Sequence, residues 1–121
     1  MQYMLLIYEN EADWQAMPEA DRARLLEGYE QFHAGLAKNG QYVGSNRLAH
    51  SGSATTVRVR ENRTITTDGP FAETKEQLGG YFLVEAEDLD AAVALAAEVP
   101  GARVGAIEVR PLWRSGMTDD G

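Results

Sequence analysis

No cysteine occurs anywhere in the 121 residues, which removes disulfide bonds, thiolate metal sites and a cysteine nucleophile in one step. Histidine is almost as scarce: His33 and His50 stand far apart, with no short-spaced ligand pair around either. A structural zinc site is therefore not expected. The chain also lacks a nucleophile elbow, a P-loop and the glycine fingerprint of dinucleotide binding, so no cofactor is implied. Positive charge is short as well, with 11 Lys and Arg against 19 Asp and Glu and a net charge of −8. Neutralising a phosphate backbone needs clustered cations, so the expectation is no nucleic-acid partner. No apolar run approaches the ~18 residues of a membrane span, mean hydropathy is −0.37, and no membrane association is expected. The opening Met1-Gln2-Tyr3-Met4-Leu5-Leu6-Ile7-Tyr8 lacks a positive leader and a small-residue cleavage site, so it reads as a first strand and not as a signal peptide. Absent cysteine is compatible with a reducing cytoplasm.

What is present is ordinary globular material, 44% hydrophobic and 25% charged, enough for a single core. One domain is expected over residues 1–114, with a frayed polar tail at 115–121. Tyr3, Leu5 and Ile7 alternate with Met4, Leu6 and Tyr8, and both sets are apolar, as in a strand covered on both sides. Residues 10–17 form an acidic connection with Trp14 as its one large apolar group. Leu25, Tyr29, Phe32 and Leu36 then make one helical stripe, so an amphipathic helix is predicted over 18–38, stopped by Asn39-Gly40. Residues 41–49 read as an interrupted or bulged strand around Gly44. Alternation over 55–60 and 64–67, with Asn62 suited to positive φ between them, predicts a hairpin.

The strand at 79–86 is again apolar at both parities: Tyr81 and Leu83 face one way, Phe82 and Val84 the other. A helix follows, capped by Asp88 and burying Leu89, Val93 and Ala96, and it ends at Val99-Pro100-Gly101. A last strand over 103–112 puts Glu108 and Arg110 on one face. The predicted fold is therefore α+β, a ferredoxin-like βαββαβ order with an inserted β-hairpin. Two helices cover one face of such a sheet. The other would still show large apolar groups, so a symmetric homodimer packed sheet on sheet is expected.

The stretch with the layout of a site is Thr67-Asp68-Gly69-Pro70-Phe71-Ala72-Glu73-Thr74-Lys75-Glu76-Gln77-Leu78-Gly79-Gly80-Tyr81-Phe82-Leu83-Val84-Glu85. A turn, a charged loop and a Gly-Gly step there deliver polar groups to the mouth of a core strand. This stretch closely resembles the motif of the DGPF-domain proteins of the YCII-related superfamily, and further similarity runs through residues 3–8, 55–60, 88–92 and 107–111. The resemblance implies a dimeric α+β barrel from a bacterial cytoplasm. It also implies genes often placed beside extracytoplasmic-function sigma factors, with no established reaction.

Asp68, Glu73, Lys75 and Glu76, together with Glu108 and Arg110, are candidates to bind a small polar ligand or to hold a tuned proton acceptor. Equally, Asp68 suits a turn that bonds its own backbone, and the other charges suit a network of ion pairs. Gly79 and Gly80 suit close ligand approach or a bulge. Phe71 reads as a core anchor or, alternatively, as a stacking platform. The superfamily resemblance implies a helix histidine paired with an aspartate, here His33 with Asp68 as candidate catalytic residues, although the DGPF branch does not depend on a histidine at that place. His50 reads as solvated. Three functions follow: a homodimeric small-molecule-binding domain with a regulatory link to a sigma factor, an enzyme doing isomerase or lyase-type acid/base chemistry on a small polar substrate, or a protein-binding regulatory partner.

Overall fold

The doubly apolar opening run becomes β1 (Gln2–Glu9) in the computed structural model of the chain, which describes residues 1–117. A short helix α1 (Glu11–Ala16) follows, capped by the Asn10 side chain, which accepts from the Asp13 N–H. Next come the long helix α2 (Glu19–Lys38), β2 (Tyr42–Arg47), the strands β3 (Thr55–Arg60) and β4 (Arg63–Asp68), β5 (Gln77–Glu85), α3 (Leu89–Glu98) and β6 (Ala106–Pro111). The main sheet is antiparallel in the order β2-β5-β1-β6, and β3 and β4 form a separate ribbon. Without the ribbon this is the ferredoxin-like βαββαβ arrangement. The two strands apolar at both parities, β1 and β5, are the central ones, because only a central strand is flanked on both edges and covered on its face.

The core lies between one sheet face and the helices. Tyr3, Leu5 and Ile7 of β1 and Phe82 and Val84 of β5 meet Leu36 of α2 and Ala92, Ala96 and Val99 at α3. Phe82 is the hinge of this packing: Phe32 meets it edge-on at 5.0 Å, and Tyr29 lies parallel to it at 6.3 Å. Leu5 and Val84 are fully buried, each contributing about 1.5–3 kcal/mol of transfer free energy.

Several expectations need correction. Residues 10–17 are not a plain connection but contain α1. The apolar face of α3 is Ala92, Ala96 and Val99 with Leu95 and Ala91 packed beside it, whereas Leu89 and Val93 are 52% and 50% exposed. Small side chains won the buried positions because they let the helix approach the sheet closely. The last strand is shorter than expected, since Pro100–Arg103 forms a 3-10 turn. In β2 the interruption is a register shift between Tyr42 and Gly44. The ribbon turns through Glu61 and Asn62, both at positive φ (51° and 63°), the geometry that a two-residue hairpin turn demands. Of the tail expected at 115–121, residues 118–121 lie outside the described part. Among the described residues no helix is long and apolar enough to cross a membrane.

Candidate functional site

The chain leaves β1 at Glu9, β2 at Arg47 and enters β5 at Gln77, so three connections gather at one end of the sheet. A cavity of about 390 Å³ opens there, between the helix-covered face and α1 and α2. Its walls include Ile7 and Glu9 of β1, Trp14 of α1, Leu26 and Tyr29 of α2, Arg47 of β2, and Gly79, Gly80 and Phe82 of β5. Alternation explains the membership: Ile7 pairs with Gly80 and Ile107, and Gly80 with Arg47, so one row of side chains points under the helices.

The glycine step shapes this end. Ile7 pairs with Gly80 but Tyr8 pairs with Leu78, which leaves Gly79 as the extra residue of a bulge. A Cβ on Gly79 would stand 2.5 Å from the Glu9 carboxylate, and one on Gly80 would stand 2.7 Å from the backbone oxygen of Asn46. The pair makes a bulge, and the close approaches it permits in the fold are those of Glu9 and of β2.

Glu9 and Arg47 give the cavity one charge of each sign. Burial raises the Glu9 carboxyl above its ordinary range, against the pull of Arg47 and with a push from Glu11. The Arg47 guanidinium lies over the Trp14 indole, 4.9 Å from the ring centre, a cation–π contact. Burial, and then the charge of Glu9, push the Tyr29 phenol up to about 12, opposed by the Gly101 N–H and Arg47. Nearby, Glu11 accepts from the Ser51 N–H at 2.8 Å and from the Ser51 hydroxyl, and its carboxylate stands 3.5 Å from His50 Nε2. Burial would raise the Glu11 pKa, but these Ser51 and His50 contacts outweigh it and lower it. The 3-10 turn after β2 is thereby clamped to α1, so His50 is a clamp member as well as half exposed.

The residues singled out from the sequence are scattered over several places. Gly79 and Gly80 line the cavity. Glu108 and Arg110 pair with each other at 3.4 Å, but opposite Leu6 and Met4 on the uncovered sheet face, away from the helices. There they flank Tyr8, whose phenol is raised by burial and then by Glu108, with Arg110 pulling it down. Asp68 ends β4 opposite Thr55, and the turn after it is held by Gly69 (φ +100°), whose N–H donates to Ala54 O and whose carbonyl accepts from Thr56 Oγ1. Glu73, Lys75 and Glu76 follow in the loop to β5. Gln77 ties that loop to α1, its amide donating to Thr74 O while its oxygen accepts from the Glu11 N–H.

The core-anchor reading of Phe71 is corrected: the ring is 73% exposed and Arg58 lies over it at 4.8 Å, since the ribbon leaves the sheet before the motif begins. Finally, His33 packs edge-on against Tyr42 at 4.2 Å, near the end of β5 remote from the cavity. Among the described residues no hydrogen bond or ion pair joins His33 to Asp68. Sequence inspection missed Glu9, Trp14, Tyr29 and Arg47. Only Trp14, the lone large apolar group in an acidic stretch, carried a local signal.

An α+β protein of ferredoxin-like topology, with an aromatic cavity bearing both charges beneath its helical layer, is the class that these features define. The YCII-related domain matches residues 1–115. A protein of Rhizobium meliloti (strain 1021), itself uncharacterised, is 34% identical over 114 residues, 93% of this chain and 92% of its own. The chain belongs to the YCII-related family.

Proposed function

We propose that the protein binds a small, partly apolar molecule with polar ends in the cavity between α1, α2 and the sheet, as a homodimer in a bacterial cytoplasm. The observation that carries this is the convergence of Glu9, Arg47, Trp14 and Tyr29 from four separate elements on one cavity. Such a mixture of an apolar wall with a few polar groups is what small-molecule sites use. The dimer is supported by the uncovered sheet face, where Met4, Leu6, Tyr8, Tyr81 and Leu83 stand in register with helices only on the opposite side. A regulatory link to an extracytoplasmic-function sigma factor is supported by the family resemblance alone, with ligand occupancy as the signal.

A panel of small metabolites tested by thermal unfolding at fixed protein concentration checks the site. At least one compound should raise the melting midpoint of the wild type and leave that of Arg47→Gln unchanged. A panel without effect, or an equal shift in Arg47→Gln, would count against the cavity. Acid/base catalysis is a second function that one observation favours: Glu9, held above the ordinary carboxylate range beside the cavity, has the character of a general base. Asp68, at the end of β4, and Glu76, just before β5, stay in the proposal as residues of the connection that leads into the cavity strand. An Asp68→Asn variant that keeps ligand shifts would confine them to a structural part.

A further inference from the structure

Opposite charges facing one cavity normally meet. Glu9 and Arg47 do not: among the described residues neither takes part in an ion pair or a side-chain hydrogen bond. Arg47 is nevertheless held in place. The Arg47 guanidinium carbon lies over the Trp14 ring, while its N–H donors, the fork that receives a carboxylate in bidentate fashion, have no partner among the described residues. The Glu9 carboxylate lies in the space that a side chain on Gly79 would fill. A half-buried carboxylate without donors is unfavourable until a donor arrives.

An anionic ligand would satisfy Arg47 and be repelled by Glu9. A cationic one would satisfy Glu9 and be repelled by Arg47. A molecule carrying both signs satisfies the two together. The remaining walls are Ile7, Leu26 and the rings of Trp14 and Tyr29, which suit an apolar or aromatic body. The volume, about 390 Å³, lies near the lower end of the ~300–1,000 Å³ of small-molecule sites, so the ligand is of single-amino-acid size and not a peptide.

We infer that the cavity takes a small zwitterion of amino-acid type, its carboxylate on Arg47, its ammonium on Glu9 and its side chain between Trp14, Tyr29 and Ile7. This rests on the cavity being the ligand site, and names its ligand class. The uncharged side chain is held by aromatic faces, so amino acids with apolar side chains are preferred over those that add a third charge.

The test uses Trp14 emission in a Trp113→Phe background, titrated with each common amino acid and, for the best binder, with its deaminated and its decarboxylated counterpart. The amino acid should bind at least about tenfold more tightly than either counterpart, since each loses one charged hydrogen bond. Glu9→Gln should erase the advantage over the deaminated acid, and Arg47→Gln the advantage over the decarboxylated amine. The wild-type series decides alone if either variant fails to fold. A deaminated acid or an amine that binds as well as its amino acid overturns the zwitterion, as does the absence of any amino-acid binding. A compound from the metabolite panel that still raises the melting midpoint through Arg47 would then keep the cavity as the site, whereas silence from both panels removes the two proposals together.

Discussion

At the scale of single residues, Gly79 and Gly80 stand side by side and yet resist substitution for different reasons. A methyl group on Gly80 would strike the backbone of β2, and backbone cannot yield without moving a strand. Gly80→Ala should therefore destabilise the fold by about 1–3 kcal/mol in urea unfolding. On Gly79 the same methyl meets only the end of the Glu9 side chain, which can swing away. Gly79→Ala should lose less stability than Gly80→Ala and instead displace Glu9, weakening whatever the cavity binds.

Tyr29 offers a second reading of the same cavity. Its phenol ionises at about 12 in the fold against an ordinary value near 10. Its contribution to stability is therefore complete below about pH 10 and is lost as pH rises toward 12. Ultraviolet titration of the five tyrosines should show a late-ionising component that Tyr29→Phe removes. The same variant should flatten the alkaline decline of the melting temperature.

At the scale of elements, the clamp between α1 and the turn at Ser51–Ser53 is the part most exposed to acid. Glu11 has its pKa lowered in the fold, so the stability it provides is present in full above its unfolded value and disappears as pH falls through the folded one. Glu11→Gln should melt below the wild type near neutral pH, and the gap should close as the pH falls through the lowered folded pKa of Glu11. An unchanged gap across that range would mean that the Ser51 and His50 contacts do not depend on the charge. The clamp also explains what sequence patterns could and could not reveal. The strand and helix order was legible because β1 and β5 are apolar at both parities and α2 repeats its stripe over several turns. Helix α1 was not, being six residues long, too short for a periodic signal and held by Asn10, Gln77 and Ser51 from outside. The site was less legible still. The glycines of the cavity were visible as a pair, but Glu9, Arg47, Trp14 and Tyr29 come together only once the register of three strands is fixed, and nothing local in any one of them announces the others.

At the scale of the whole molecule, the covered and uncovered faces of the sheet differ in what they ask of their surroundings. Leu6 sits on the uncovered face, between Tyr81 of β5 and Glu108 of β6. A dimer packed through this face predicts that Leu6→Lys sediments as a folded monomer while the wild type sediments as two copies; a wild-type monomer would end the dimer proposal. The ribbon is the other unusual feature at this scale, with Val57 and Val59 each 59% exposed on a two-stranded piece outside the main sheet. The order of strands, finally, bears on how the chain folds. Strand β1 is a central one, and both its neighbours follow far along the chain, Tyr3 pairing with Val84 on one side and with Pro111 on the other. Until those pairings form, β1 thus keeps its apolar faces without either neighbour, and sheet closure waits on contacts between distant parts of the chain. Folding should be slow relative to its length, because long-range closure precedes any reward, and the unpaired β1 is where a chaperone would find most to hold.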